Sequence, residues 1–339
     1  MIRVACVGAG YFSQFHLDGW ARLPGATLVG ICDRDPQAAT KTGLAVFTDL
    51  EQMLNDTRPE ILDLIIPPAG HADAIRTALD TSDTLRAIIC QKPFCTSLEE
   101  ARDITALAEA ADIPLIVHEN FRFQPWYRVI RDQIAAGAIG TPLQATFRLR
   151  PGDGQGADAY QARQPYFQQM ERFLIHETGV HWIDTFRFLF GDPLSVYADL
   201  RRVNPVIAGE DAGFVLFDHP NGVRVLLDGN RSLDHDAQNT RCTMGEGLFE
   251  GPAGTLTLSG DGAVHLRAFA SQTQTCVLGP DTSQTFGGDC THHLQAHVIA
   301  ALENGTALEN PARDYLTVVR IENAIYHSAQ SQRKIQLSP

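Results

Sequence analysis

Through the first 120 residues, short apolar runs alternate with stretches of helical spacing. The runs are "IRVACVGAG", "ATLVGICDRD", "ILDLIIPP", "LRAIICQKP" and "IPLIVHEN". Between them lie "YFSQFHLDGWARL", whose Phe12, Phe15, Trp20 and Leu23 share or flank one helical face, and "GHADAIRTALD". "SLEEARDITALAEAAD" opens with Ser97 and Glu100 at capping-box spacing. Continuous apolar strands alternating with amphipathic helices make a parallel sheet covered on both faces. Right-handed crossovers then give a doubly wound α/β fold, in which ligands bind beyond the carboxyl ends of the strands. Those ends are Gly8-Ala9-Gly10, Asp33, Pro67-Pro68, Gln91-Lys92-Pro93 and His118-Glu119-Asn120.

Gly8 and Gly10 fit the start of G-x-G-x-x-G, with Ser13 at the third position. A glycine pair also ends strands simply to turn. Here it follows the first strand and opens a helix, and Asp33 ends the next strand, as a dinucleotide site requires. Glycine lets the backbone approach a pyrophosphate, and the helix N-terminus offers N–H groups and a positive dipole end. Asp33 accepts hydrogen bonds from a ribose and repels a 2'-phosphate, which favours NAD over NADP. Arg34 acts the other way, because a guanidinium holds phosphate. Lys92 closes a buried strand, where a charge is costly unless paired or used; a surface lysine at a strand end gives the same pattern. Pro93 fixes the backbone beside it. His71 starts a helix after Pro67-Pro68, so a cofactor contact there is expected from the backbone.

From residue 121 to 339 the pattern changes. A helix is expected from Pro125, with Trp126, Val129, Ile130 and Ile134 on one side, stopped by Gly137 and Gly140-Thr141-Pro142. Alternating runs follow, from "LQATFRLR" to "QTCVLG", with a hairpin signal at Asn221-Gly222. They predict an α+β domain with a large, mostly antiparallel open sheet. Its free face is a candidate subunit interface, giving a homodimer or homotetramer. Two closing helices are expected, the second packing back near the first domain. Residues 152–172 form a polar, aromatic stretch with Tyr160, Arg163, Gln164 and Tyr166. It is either a plain surface loop or, if the site lies nearby, the reader of substrate hydroxyls.

The stretch "FLIHETGVHWID", residues 173–184, sets two histidines and two carboxylates in an apolar run. On a helix Glu177 and His181 share a face, and Asp184 lies on or near it. His176 and His181 are separated by about 140° at the usual helical pitch. That spacing excludes the H-E-x-x-H type of metal site, and no metal is expected. His176 reads as structural, Asp184 as a helix or interdomain hydrogen-bond partner, and His292, His293 and His297 as helix-start and surface residues.

A length of 339 residues suggests two domains, and 44% hydrophobic with 20% charged residues reads as an ordinary globular protein. The net charge of -13 argues against a nucleic-acid backbone or an anionic membrane as partner. The seven cysteines are scattered, odd in number and without a C-x-x-C pair, which suits a reducing cytoplasm. The first strand begins at Ile2, leaving no room for a signal peptide, and no apolar run approaches a membrane span.

Six motifs in order give the chain a resemblance to the glucose–fructose oxidoreductase / inositol dehydrogenase / rhizopine-catabolism (Gfo/Idh/MocA) family. They are "VGAGYFSQFH", "IIPPAGHADAI", "QKPF" (the family's Glu-Lys-Pro), "NFRFQP", "ETGVHWIDTFRFLFG" (its Asp-x-Gly-x-His-x-x-Asp helix) and "ENAIYHSAQ". The resemblance implies NAD(P)-dependent oxidation of a sugar or polyol hydroxyl, with Lys92 and His181 in the catalytic lysine and histidine positions. Glu177 takes the place of an aspartate. Gln91 replaces the motif's glutamate, removing a negative charge beside Lys92. The chemistry agrees: hydride leaves a carbon whose hydroxyl is losing its proton, His181 supplies a base, and Lys92 stabilises the alkoxide. The implied cofactor set is Gly8, Gly10, Tyr11, Phe12, Asp33, Arg34, Pro67, Pro68, His71, Gln91, Lys92 and Pro93. On the substrate side stand Tyr160, Arg163, Tyr166, Glu177 and His181, with Asn120 and Arg122 either lining the site or packing. A non-phosphorylated aldose, a branched pentose such as D-apiose, or a cyclic polyol is the expected substrate. An NAD-dependent glycosidase on the same scaffold and a non-catalytic NAD/sugar sensor stay open as alternatives.

Overall fold

A computed structural model describes residues 1–283 and 285–337. The chain forms two compact units, Met1–Asn120 with Thr291–Val319, and Phe121–Cys290 with residues from Arg320 on.

In the first unit, strands β1 (Ile2–Val7), β2 (Ala26–Cys32), β3 (Val46–Phe47), β4 (Ile61–Leu64), β5 (Ala87–Gln91) and β6 (Leu115–His118) form one sheet in the order β3-β2-β1-β4-β5-β6. Every pairing is parallel. β4, β5 and β6 are buried along their whole length, as expected for strands covered on both faces. The doubly wound reading therefore holds; the two-residue β3 was not anticipated. The helices are α1 (Ser13–Ala21), α2 (Pro36–Thr40), α3 (Leu50–Thr57), α4 (His71–Thr81) and α5 (Leu98–Ala110). Side chains set their starts: Asp35 accepts from the Gln37 N–H, Asp49 from Gln52 and Ser97 from Glu100. Glu100 folds back onto the N–H and hydroxyl of Thr96, both at 2.7 Å, rather than onto Ser97. Strand order reverses at β1, so the ligand crevice expected of this fold opens at the carboxyl ends of β1 and β4.

The second unit is built on a nine-stranded sheet. Its strands are β7 (Gln144–Leu149), β8 (Ser195–Arg201), β9 (Ala212–Asp218), β10 (Arg224–Asn230), β11 (Gly245–Gly251), β12 (Gly254–Leu258), β13 (Val264–Ala268), β14 (Thr275–Leu278) and β15 (Ile335–Gln336). The order is β14-β13-β12-β11-β7-β10-β9-β8-β15, and β7 with β10 is a parallel pair in a mostly antiparallel sheet. β9 and β10 are joined where Asn221 and Gly222 both take positive φ, 61° and 78°, as the hairpin signal requires. Helices α6 (Pro125–Ala135) and α7 (Val180–Phe190) bring Trp126, Trp182 and Phe186 into the core. The rings of Phe147 and Trp182 lie 4.6 Å apart, and those of Phe186 and Phe217 5.8 Å. The opposite face carries Tyr197, Leu216, Leu226, Thr146 and Leu248 in register across β8, β9, β10, β7 and β11. This apolar row is exposed or half-buried.

Two helices close the chain, α8 (Cys290–Asn304) and α9 (Ala312–Ser331). A single boundary after residue 120 left Thr291–Val319 to the second domain, but this segment packs with the first 120 residues. Gln295 donates to the His16 carbonyl, Asn310 to the Glu119 carbonyl, and the Tyr315 hydroxyl to the Glu119 carboxylate. Such tertiary contacts leave no mark on sequence periodicity. Among the described residues, no helix is long and apolar enough to cross a membrane.

Two buried histidines tie the fold to pH. His71 contacts the Ile66 carbonyl and His219 that of Gly191, each at 2.8 Å. Burial lowers both from 6.5 to about 4, with the carbonyl contacts opposing. The unfolded chain then binds protons that the folded chain refuses. Each histidine's contribution is present above 6.5 and is lost as pH falls toward about 4, on the order of 3 kcal/mol apiece. Denaturant midpoints should fall across that window, and His71→Phe should flatten the dependence.

Candidate active site

The first unit carries the nucleotide-binding elements. Gly8 leaves β1 with φ +102°, and a Cβ there would strike the Ile65 carbonyl. Only glycine allows this close passage of β1's end by β4's end. At Gly10 a Cβ would meet nothing within 4 Å, so bare backbone faces open space just before α1. Asp33, at the end of β2, accepts the Ala9 N–H on Oδ2 at 2.6 Å and the Asp35 N–H on Oδ1 at 2.8 Å. Each oxygen keeps a lone pair for a ribose hydroxyl. These residues fit an adenine dinucleotide.

Around them Tyr11 and Arg34 are exposed, and Phe12 packs against Phe15 and His16. Pro67 and Pro68 lead through a short 3-10 turn, Pro68–Gly70, into α4. The His71 ring is wholly buried and braces this turn through Ile66, so its side chain is structural. Lys92 and Pro93 follow β5, half-buried and joined by a cis peptide bond. Gln91 is buried, and its Oε1 accepts the Lys92 backbone N–H at 3.1 Å. Asn120 donates to the Thr291 hydroxyl and is 2% exposed.

The second unit carries the residues expected to transfer a proton. Residues Leu174–Gly179 wind as a π-helix before α7 begins at Val180. Such wide turns recur at functional sites. The angle between His176 and His181 assumed a uniform α pitch, so that premise is corrected. The two rings nonetheless serve different partners. His176 Nδ1 lies 2.7 Å from Glu322, as suits a structural residue. His181 stacks face to face on Phe121, with centroids 3.9 Å apart and planes 5° apart, and is 7% exposed. Asp184 is fully buried and takes a bidentate bond from Arg122 at 2.6 and 2.8 Å. Arg122 is thereby engaged by Asp184. Among the described residues, no group of three or more His, Cys, Asp or Glu is placed to hold a metal.

Arg231, just past β10, organises the loop before the π-helix, and the sequence reading passed it over. Its guanidinium is fully buried. It bonds the Thr178 hydroxyl at 2.5 Å and pairs with Asp153 at 2.9 Å and Glu177 at 3.3 Å. Tyr160, Phe167 and Phe173 box it in, each ring centroid within 5.7 Å. Burial opposes its charge, but Asp153 and Glu177 outweigh that and keep it firmly cationic. Burial likewise opposes ionisation of Asp153, yet Arg231 and Arg163 hold its carboxyl below the usual range. Tyr160 is a core residue whose hydroxyl donates to Asp153 at 3.1 Å, and Arg163 pairs with the same carboxylate at 3.1 Å. Both are engaged within the loop by these bonds. Tyr166 stays exposed, at 58%. Glu177 accepts from Arg231 and from the Thr178 hydroxyl, so the charge of the notional substrate contact is already partly answered. The only advance signal of Arg231 was an arginine closing the run "VRVLLDGNR".

The doubly wound sheet, its bare glycine turn and Asp33 define an NAD-dependent oxidoreductase. The model of the oxidoreductase family with NAD-binding Rossmann fold, Gfo/Idh/MocA, matches residues 2–119, and the GFO/IDH/MocA C-terminal domain matches 127–249. The chain belongs to this family. It is 32% identical to D-apiose dehydrogenase of Paraburkholderia graminis, over 98% of this chain and 89% of that one. The D-apiose dehydrogenase of Rhizobium rhizogenes is 29% identical over 99% of this chain and 97% of its own. An oxidoreductase from Agrobacterium radiobacter, solved with NAD+, L-tartaric acid and magnesium, superposes with a TM-score of 0.88 at 28% identity, covering 99% of this chain and 98% of that one.

Two outcomes are expected. Gly8→Ala should cost about 1–3 kcal/mol, read as a lowered unfolding midpoint, and should weaken NAD in a fluorescence titration. Arg231→Met leaves Asp153 and Glu177 without their main cation and should cost about 3–5 kcal/mol by denaturant unfolding. Arg231→Lys should recover part of that.

Proposed function

We propose that the protein oxidises a hydroxyl of a non-phosphorylated sugar, with D-apiose the leading substrate. The observation that carries this reading is His181, a nearly buried imidazole held against Phe121 one turn beyond Glu177, on a chain with an NAD-binding sheet. His181 takes the hydroxyl proton as the carbon gives up hydride. NAD, when bound, accepts that hydride. Lys92 stabilises the negative charge that develops on the oxygen. Glu177, steadied by Arg231 and Thr178, holds a neighbouring hydroxyl or the imidazole. Support for a substrate without phosphate comes from the loop arginines. Arg163 is paired with Asp153, and Arg172 bonds Asn323 and lies over the Tyr326 ring. Support for D-apiose comes from the two full-length relatives of that name.

Purified protein mixed with NAD and a panel of sugars should reduce the cofactor, fastest on D-apiose. Correctly folded protein that turns over no polyhydroxy substrate would sink the reading. Free sugar released from a glycoside without net reduction would mark a glycosidase, and binding without chemistry a sensor. Lys92→Ala and His181→Ala should each lower kcat about 10²- to 10⁴-fold while keeping NAD affinity.

The apolar row on the open sheet face supports association with a second copy, as a dimer or tetramer. Paired Leu216→Arg and Leu226→Arg substitutions should shift the mass measured by light scattering to that of the monomer. All seven cysteines are free, which supports a reducing compartment.

A further inference from the structure

We propose that Gln91 is a positioning residue for Lys92, and that its amide fixes His16 and His118 as neutral rings of defined tautomer behind it. The inference rests on the catalytic reading of Lys92. The backbone N–H of Lys92 is always a donor, so the Gln91 atom 3.1 Å from it must be the amide oxygen. The amide NH₂ then points the other way, 2.7 Å from His16 Nε2 and 3.2 Å from His118 Nδ1. An NH₂ only donates, so each of those ring nitrogens must present a lone pair. His16 therefore carries its proton on Nδ1 and gives it to Asp63 Oδ2 at 2.7 Å. Trp20 donates to the same oxygen at 2.7 Å. His118 carries its proton on Nε2.

The two rings lie 4.1 Å apart and 33° from parallel, a comfortable stack for neutral imidazoles and a repulsive one for two cations. The carboxylates nearby are Asp63, which accepts from His16 and Trp20, and Glu119. Burial, then Asp63, pushes the Cys6 thiol on β1 well up. Burial, then Cys95 and Asp63, does the same for Cys90 on β5. Glu119, next to His118, receives the Tyr315 hydroxyl at 3.1 Å. All members are buried: His16 and Asp63 wholly, His118 to 1% and Gln91 to 7% exposure. The strand end that presents Lys92 is thus held by α1 and β6 through one amide, with β4 reached through His16 and Asp63.

A glutamate, the residue the family motif carries here, changes the proton count. A carboxylate only accepts, so both facing ring nitrogens must become donors. His16 then has to carry protons on both nitrogens, and a titrating group enters the network behind Lys92. The amide removes that dependence.

The test uses the full-length protein. Nitrogen-15 histidine spectra at neutral pH should show His16 protonated at Nδ1 alone and His118 at Nε2 alone. In Gln91→Glu, His16 should become doubly protonated at the same pH, and kcat should gain a pH inflection absent from the parent. Gln91→Leu should lower kcat about 10- to 100-fold with little change in NAD affinity. A wild-type His16 bearing its proton on Nε2 overturns the proposal. So does a Gln91→Leu enzyme at full kcat where Lys92→Ala has lost it. Full activity in Lys92→Ala sinks the catalytic reading instead and leaves the tautomer result standing on its own. Should Gln91→Leu fail to fold, the wild-type spectra and Gln91→Glu still decide.

Discussion

Close passage of two backbones at Gly8 governs the nucleotide half of the molecule. β1 and β4 run side by side, and where the strand order reverses the chain leaving β1 passes the Ile65 carbonyl with no room for a side chain. Bare backbone at this turn lets α1 start beside the crevice, and lets Asp33 reach the Ala9 N–H from β2. Any Cβ at Gly8 would force the strands apart and displace all of these together.

Each unit also buries an ionisable group that is met by hydrogen bonds from distant parts of the chain, although Oδ1 of Asp63 has no partner among the described residues. In the first, Asp63 sits within a parallel sheet and is answered by His16 and Trp20. In the second, Arg231 is answered by Asp153, Glu177 and Thr178 inside an aromatic box. A buried ion left short of partners costs several kcal/mol, so such clusters tolerate few arrangements. They fix geometry more than they add stability. Arg231 ties the 152–172 loop to the π-helical turn that carries Glu177, and Gln91 ties the end of β5 to β6 and α1.

Several elements were legible because the physics that forms them is local. Alternation of apolar runs with 3.6-residue periodicity marked the parallel sheet, Asn221-Gly222 marked the β9–β10 hairpin of the second sheet, and Ser97 with Glu100 marked a helix start. Gly8, Gly10 and Asp33 were legible because backbone freedom and charge at a strand end have few other uses. At His71, Asn120, Arg122 and Tyr160 polarity in the sequence does not say whether a partner waits inside. Each of these found one: Ile66, Thr291, Asp184 and Asp153.

By itself, then, the sequence determined the order of strands and helices, the two-part architecture and the residue types that suit hydride and proton transfer, since all follow from periodicity and side-chain chemistry. Tertiary structure alone decided which polar groups are answered from far along the chain. Residues 291–319 joined the first unit, Arg231 met Glu177 from 54 positions away, and Gln91 met His16 from 75. Hydrogen bonds between such distant groups are set by where folded strands end, and no local pattern encodes that meeting.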